Sequence, residues 1–497
     1  MNERKKTKER YKSQRGVTVL LVLAFMGIFL FLLGTILSYV LTQGKYGRAL
    51  YAREQAVNVA EGGLEFYRWF LAHNPQTMVN GAGLVSPASY DVNDPEAGSL
   101  GEATVTATLN TSCGVVQSAD LASEGRADIN QLYKRTLYAR YMRPSVAEYS
   151  NIINANVWAG ADRNITGAYH SNGGVRMDGS SNSIVSSALS TWSCTSSFGC
   201  NPTATQPGVF GAGSGSALWR FPAASFNFAG ISTDFPTLQT YANSDGIKLN
   251  PTNVRVNGVQ QGGTFSSVGG SDQRGFRLLM RSDDTVDVYR VTGTTGVPAQ
   301  RIDNIGTWAT DYHIISSETY LGRYTIPADC RLIFAQAKVW VDGVVGSKVT
   351  IIAADTGAFS PDLILRGNIT YASGTGSSGL TAVAERSVLI PLNSPDVMTI
   401  RGVFVAQNGY VGRNFYQQGG SNGVPSAHNS SVIQSSLTTI GSVISNNRVG
   451  TQWSSGGVIS SGYQTRTDTY DRLLAFDPPP FTPAASPDYK LVLWREQ

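Results

Sequence analysis

Residues 17–41, VTVLLVLAFMGIFLFLLGTILSYVL, contain no charged side chain, and no other stretch limits the fold as much. As a helix, 25 residues reach about 37 Å, against a hydrocarbon core of about 30 Å. A removable secretory signal has a shorter apolar stretch, roughly 7–15 residues, followed by small residues at the cut. Here Tyr39, Val40 and Leu41 lead into TQGKYGRALYAREQ, with no such site, so the run reads as a retained membrane helix. Residues 1–16 precede it with seven basic and two acidic side chains. Those cations stay on the cytoplasmic side, which predicts a single-pass protein of the cell membrane with its N-terminus cytoplasmic and its ectodomain outside.

The helix does not stop at the membrane. Leu50, Val57, Ala60, Leu64, Tyr67 and Leu71 recur as an apolar stripe among Arg53, Glu54, Glu61, Glu65 and Arg68, and no proline intervenes between Val17 and Pro75. The expectation is one helix over 17–74, apolar first and amphipathic after. Because a lone amphipathic helix is marginal in water, it needs a surface to pack on. Gly27 and Gly34 share a face with Ala24 and Ser38 nearby, a pattern that permits close helix approach and is also common in ordinary anchors.

These residues resemble a type IV prepilin. A basic leader ending in QRG, then VTVLLVLAF, then a long two-part helix is most similar to the PilX-like minor pilins, with REQAVNVAEGGLEFYRWFLAHNP running into a β-rich body. The resemblance implies cleavage after Gly16 by a prepilin peptidase, Val17 as the new N-terminus, and a helix through Leu21, Gly27, Gly34 and Leu41 that enters a filament core. It implies the pilus assembly platform and other pilins as partners. Two positions depart from the pattern. Val17 stands where Phe or Met is usual. Leu21 stands where major pilins carry the glutamate that pairs with a neighbouring N-terminus, which argues for a minor, tip or initiating subunit over an abundant one.

The rest of the chain is glycine-rich, with 53 glycines, and sparse in charge at 15%. The formal charge is +4 overall, but residues 1–16 carry +5, leaving −1 elsewhere. A near-neutral body has no electrostatic footprint for nucleic acid, so no nucleic acid partner is expected. EATVTATLN, VVQSADLAS and YKRTLYARYMRP alternate as strands and predict a small pilin-like sheet over 75–145. Beyond it, short β-prone runs separated by Gly, Asn and Ser turns suggest the coils of a parallel β-helix over 146–224 and 326–470, similar to β-helix domains behind pilin-like anchors in some bacterial surface proteins. A β-sandwich with irregular loops fits the same texture and stays open. Residues 225–325 read as an inserted α/β lobe, with a helix capped at Ser232, Thr233 or Asp234 and a hairpin turning at Ser282–Asp284. Residues 471–497, with Pro478–Pro480, read as a C-terminal cap whose last strand covers the open end of the coils. The fold class expected is therefore α+β and mostly β.

Signatures of chemistry are few. Gly374, Gly376 and Gly379 match G-x-G-x-x-G, but a β-prone run ending in proline follows, so a turn explains them better than a phosphate cradle. His73, His170, His313 and His428 are isolated in sequence. His170, flanked by Asp162 and Asp178, is the best candidate base, although a turn histidine explains it too. Asp283, Asp284 and Asp287 fit a solvated turn. Cys194 and Cys200 sit in STWSCTSSFGCNP, a Gly/Pro-flanked loop that could close on itself, and form a candidate disulfide. Cys113 and Cys330 offer no basis for pairing, and no zinc spacing occurs. No catalytic, cofactor-binding or metal-binding residue is expected, and the chain is expected not to be an enzyme. The reading is a minor pilin-like surface protein presenting a large β-rich ectodomain for adhesion or surface contact, with a surface glycan or a host or partner-cell molecule as candidate ligand. The alternatives are an uncleaved, anchored β-helix adhesin and a carbohydrate-active β-helix enzyme.

Overall fold

The computed structural model describes residues 3–96, 98–229, 234–357 and 359–496. Of the expected leader, Met1, Asn2 and the side chains of residues 3–15 lie outside the described residues. The first element, α1, is a single helix Glu3–His73 of 71 residues, about 105 Å long. It begins well before Val17, where the expected helix began. Leader residues Lys, Arg, Glu and Gln are good helix formers, and no proline lies among them to stop the helix before Gly16. At the other end Pro75 cannot continue the helix, and Asn74 donates from its side-chain amide back to the Phe70 carbonyl at 2.8 Å.

Four strands follow: β1 Ala88–Asp94, β2 Gly98–Ser112, β3 Val115–Ala127 and β4 Lys134–Met142. They pair antiparallel in sequence order. A fifth strand comes from the far end of the chain, Lys490–Glu496, which pairs antiparallel with β4. The expected cap over the open coils is thus a completing edge of the first sheet. The reason is apolar burial together with edge pairing: Leu491 and Tyr489 pack on the core of this sheet, and β4 would otherwise present an unpaired edge.

The large β region is a stack of parallel rungs. In spatial order, Ile247–Asn250, Leu332–Ala335, Lys348–Ala353, Gly379–Ala384, Val397–Ala406, Ile433–Ser445, Tyr149–Ile153, Ala168–Ser171 and Val185–Ser187 each pair in parallel with the next. A second parallel ladder runs through Gly275–Met280, Lys338–Val345, Leu363–Tyr371, Val388–Leu389 and Val411–Gly412. Successive coils thus lie over one another in a parallel β-helix-like arrangement. Its interior is apolar, with Leu249, Phe276, Val339, Ile351, Leu365, Ala382 and Phe404 inaccessible.

The order of the rungs is not the order of the chain. The chain enters the stack in its middle at Tyr149 and coils to one end. It then starts again at the other end with Ile247 and works back until Val443–Ser445 lies on Asn151–Ile153. Asparagines carry the join: Asn154 donates to Asn446 and Asn172 donates to Asn154, both at 2.8 Å. This corrects the lobe expected over 225–325. Ile247, Leu249, Phe276, Leu278 and Met280 are buried in the common core, so this stretch supplies the terminal rungs. What departs from the stack is the hairpin of Thr285–Gln300 and Trp308–Thr325. The helix Phe235–Ser244 is capped by Asp234, whose side chain accepts from the Thr237 amide; Ser232 and Thr233 lie outside the described residues.

Candidate functional site

From Val17 to Leu41 the large apolar side chains of α1 are exposed and pack on no other element among the described residues. Val17 is 64% exposed and Leu21 53%, and the aromatic and aliphatic residues between Leu21 and Leu41 are exposed to similar degrees. A methyl group placed on Gly16, Gly27 or Gly34 would meet nothing within 4 Å. The polar groups here are turned inward: Thr35 donates to the Leu32 carbonyl and Thr42 to the Ser38 carbonyl, each at 2.8 Å. A helix that turns threonine hydroxyls back onto its own carbonyls and exposes mainly apolar surface suits a bilayer or a bundle of like helices, where no water can serve those groups.

Beyond Tyr51 the same helix is committed. Ala52, Ala56, Val59, Ala60, Leu64, Tyr67 and Leu71 are buried, and those from Ala60 onward lie against the inner face of β1–β4. The approach is close because two glycines make room. A Cβ on Gly125 of β3 would lie 2.2 Å from the Ala56 carbonyl oxygen, and one on Gly63 would lie 2.5 Å from Ser123 Oγ. The expected stripe was partly displaced: Leu50 is exposed and Val57 only half-buried, whereas Ala52 and Ala56 hold the centre. Tyr67 donates to the Val85 carbonyl at 2.6 Å, and burial, with Tyr90 nearby, pushes its hydroxyl pKa up to about 12.

The candidate chemical residues are held in structural roles. His170 is buried between Ser186 Oγ at 2.8 Å and Asn172 Oδ1 at 3.1 Å, and burial lowers its pKa. Asp162 pairs with Arg466 and Asp178 with Arg176, so neither carboxylate is offered to His170. Asp287 sits between Arg281 and Arg323, whose hydrogen bonds, Arg323's foremost, hold its pKa down to about 2. Asp283 accepts from Thr285 Oγ1. Gly374, Gly376 and Gly379 lie in a loop and at the start of a strand, not before a helix. Two disulfides are formed, Cys194–Cys200 and Cys113–Cys330. The second crosses from the β2–β3 turn to the residues just before Leu332, and the Cys113 amide also donates to the Asp329 carbonyl at 2.7 Å.

One cluster escaped the sequence reading. Asp311 meets His313 Nδ1 at 2.7 Å and accepts from Tyr416 at 2.5 Å and Asn414 at 3.0 Å. Burial works against its charge, yet the His313 ring and these hydrogen bonds outweigh it and hold the pKa down to about 2. On its other side His313 lies 3.9 Å from Asp362, which Arg386 grips at 2.5 Å. The adjoining void is about 50 Å³, room for a water or two and not for a substrate. A carboxylate beside a histidine two residues away, on a strand, was the available signal. Among the described residues, no group of three or more His, Cys, Asp and Glu side chains is placed to hold a metal ion.

No family model and no curated protein matches the chain. Among solved structures, the competence-associated pilin ComZ from Thermus thermophilus aligns over 90% of this chain and 97% of its own length, at 14% identity and a TM-score of 0.29. So slight a likeness carries no argument for fold or function.

Proposed function

We propose that this chain is a minor pilin-like surface protein. The observation that carries the reading is the division of α1: one continuous helix whose second half is packed on a sheet and whose first half, Val17–Leu41, exposes its large apolar side chains and packs on no other element among the described residues. In this reading a prepilin peptidase cuts between Gly16 and Val17. The exposed half first lies in the membrane and then among the helices of other pilins, delivered by a pilus assembly platform. The resemblance of the leader and helix to PilX-like prepilins supports that route. Leu21, without a carboxylate to pair with a neighbouring N-terminus, supports a minor position over bulk addition. The stack is displayed outside the cell for adhesion or surface contact, with a surface glycan as ligand class. The role is non-catalytic, a reading supported by the structural pairing of Asp162, Asp178 and Asp287.

Intact-mass measurement of the membrane-extracted protein tests the route. A mature chain beginning at Val17 is expected. A chain that keeps Met1, or one that starts beyond Leu41, overturns it.

A further inference from the structure

The two β units do not close against each other completely. Between the tip of β2–β3, the end of β4, the helix Phe235–Ser244 and the segment 477–484 lies a cleft of about 930 Å³. It is large enough for a ligand of several rings, since ligand sites commonly occupy about 300–1,000 Å³ and often lie between domains. The Cys113–Cys330 bridge spans the two walls, so the opening is fixed by a covalent tie and not by a soft interface.

The lining has three chemistries in one place. Tyr241, Phe481 and Tyr489 are half-buried there, and they are already oriented: Tyr241 stacks on Phe481 at 6.0 Å and Tyr489 on Tyr141 at 5.2 Å. Asn110, Gln117, Thr237 and Ser377 also line the cleft; Asn110 donates to Ser118 and Asp120, Gln117 accepts from the Phe481 amide, and Thr237 donates to Asp234. Ser347, buried in the wall, has a hydroxyl without a hydrogen-bond partner. The third chemistry is cationic. Arg140 and Lys348 are neutralised by Asp120 and Asp477. Arg143 makes no ion pair among the described residues and only covers the Tyr489 ring at 5.6 Å. Arg331 forms a long ion pair with Asp284, 3.6 Å from Nη1 to the carboxylate and beyond hydrogen-bond reach, and this Nη1 is buried without a hydrogen-bond partner.

Aromatic faces take the C–H faces of a sugar ring, hydroxyls and amides take its hydroxyls, and a guanidinium that is unpaired, as in Arg143, or only loosely paired, as in Arg331, takes a carboxylate by a paired fork. We propose that this cleft binds an acidic saccharide of two or three residues, its carboxylates set against Arg143 and Arg331. The proposal deepens the surface-contact reading and rests on it only for where the ligand is met.

The test is titration of trigalacturonate into the full-length, detergent-solubilised protein by calorimetry, beside the neutral trigalactose and inorganic phosphate. Saturable binding of trigalacturonate is expected, at least tenfold tighter than of trigalactose and not displaced by equimolar phosphate. Arg143→Gln changes an exposed side chain, and Ser377→Trp fills the mouth from an exposed loop. Each should weaken binding at least tenfold with an unchanged circular dichroism spectrum, and Arg331→Gln should do the same. No binding of trigalacturonate, binding that R143Q and S377W leave intact, equal binding of the neutral trimer, or displacement by phosphate would each overturn the proposal. The mature N-terminus is read by mass on the same preparation, so a chain starting at Val17 without saccharide binding separates failure of the cleft from failure of the pilin reading.

Discussion

The two halves of α1 share one backbone and differ in what lies beside them. Between Val17 and Leu41, nineteen large apolar or aromatic side chains are exposed. Leaving each in water forgoes about 1.5–3 kcal/mol, so the segment as a whole is on the order of 30 kcal/mol or more short of a partner. Between Ala52 and Leu71 the buried face alternates small residues, Ala52, Ala56, Ala60 and Gly63, with Val59, Leu64, Tyr67 and Leu71, and the sheet comes so close that Gly63 and Gly125 leave no room for a Cβ. The apolar half asks for any oily surroundings; the packed half asks for one surface. Total hydrophobicity therefore marks where the chain leaves water, whereas close packing marks where it finds its own fold.

The largest expected effect tests whether the packed half and its sheet stand apart from the stack. Cys113 and Cys330 are 217 residues apart in sequence, and chain entropy puts such a bridge at roughly 5 kcal/mol. Cys194 and Cys200, separated by 6, give about 2 kcal/mol. The double variant C113S/C330S should lower the urea midpoint of the full chain by more than C194S/C200S does, and should raise hydrogen exchange at the β2–β3 tip. Equal losses would mean that the sheet is held to the stack by its other contacts, and the distinction between the units would dissolve.

Next in size is an acid-sensitive group on the hairpin that leaves the stack, Asp311, held by Asn414 and Tyr416. The Asp311 pKa is held down to about 2, below the usual carboxylate value near 3.9. Its stabilisation is therefore present above about pH 4 and is lost as pH falls through about 2. The drop is on the order of 2 kcal/mol. Asp311→Asn should remove that part of the acid transition in the hairpin Thr285–Gln300/Trp308–Thr325, while α1 and its sheet keep theirs. An unchanged acid profile in the variant would show that Asp311 is not the group responsible.

Much of this was legible in the residues, for physical reasons. The apolar run, the strands after it and the turn-rich coils are local patterns, each repeated over enough residues to stand out. The hairpin at Ser282–Asp284 and the Asp234 cap are local too. What could not be read were partners distant in sequence: Val443 on Asn151, Lys490–Glu496 beside β4, Cys113 with Cys330. Nothing near Tyr149 indicates that the chain enters a stack at its middle, because a parallel rung looks the same whichever neighbour it acquires. Ala60, Leu64, Tyr67 and Leu71 of the α1 stripe are buried as read, but its start was misplaced for a related reason. Leu50 and Val57 stand out by hydrophobicity, but the sheet selects Ala52, Ala56 and Gly63 because they let it come close. The Asp311 cluster depends on Tyr416 and Asn414, about a hundred residues away.

A smaller effect bears directly on the packed half. In Gly63→Ala the new methyl would lie 2.5 Å from Ser123 Oγ and 2.6 Å from Ala103 Cβ, and such overpacking costs about 1–3 kcal/mol. The gain in helix propensity, about 1 kcal/mol, offsets part of it. Net destabilisation of roughly 1 kcal/mol is expected, seen as faster exchange in β2 and β3. A neutral result would mean that helix and sheet are not in the close register that Gly63 and Gly125 permit.

The smallest effect has the opposite sign and uses the same substitution in the other half. Gly27→Ala meets nothing within 4 Å, so in the isolated, detergent-solubilised chain it should only stiffen the helix, by about 0.5–1 kcal/mol. Thermal melting of α1 by circular dichroism should shift slightly upward. If Gly27 is instead the contact by which helices of separate chains approach, the methyl holds them apart, and self-association in the membrane should fall while the monomer gains. Ala in place of Gly at positions 27 and 63 thus separates the two kinds of surface with one methyl group each. Loss of monomer stability in G27A would show that the first half already has a partner within the chain, and the contrast between the halves would fail.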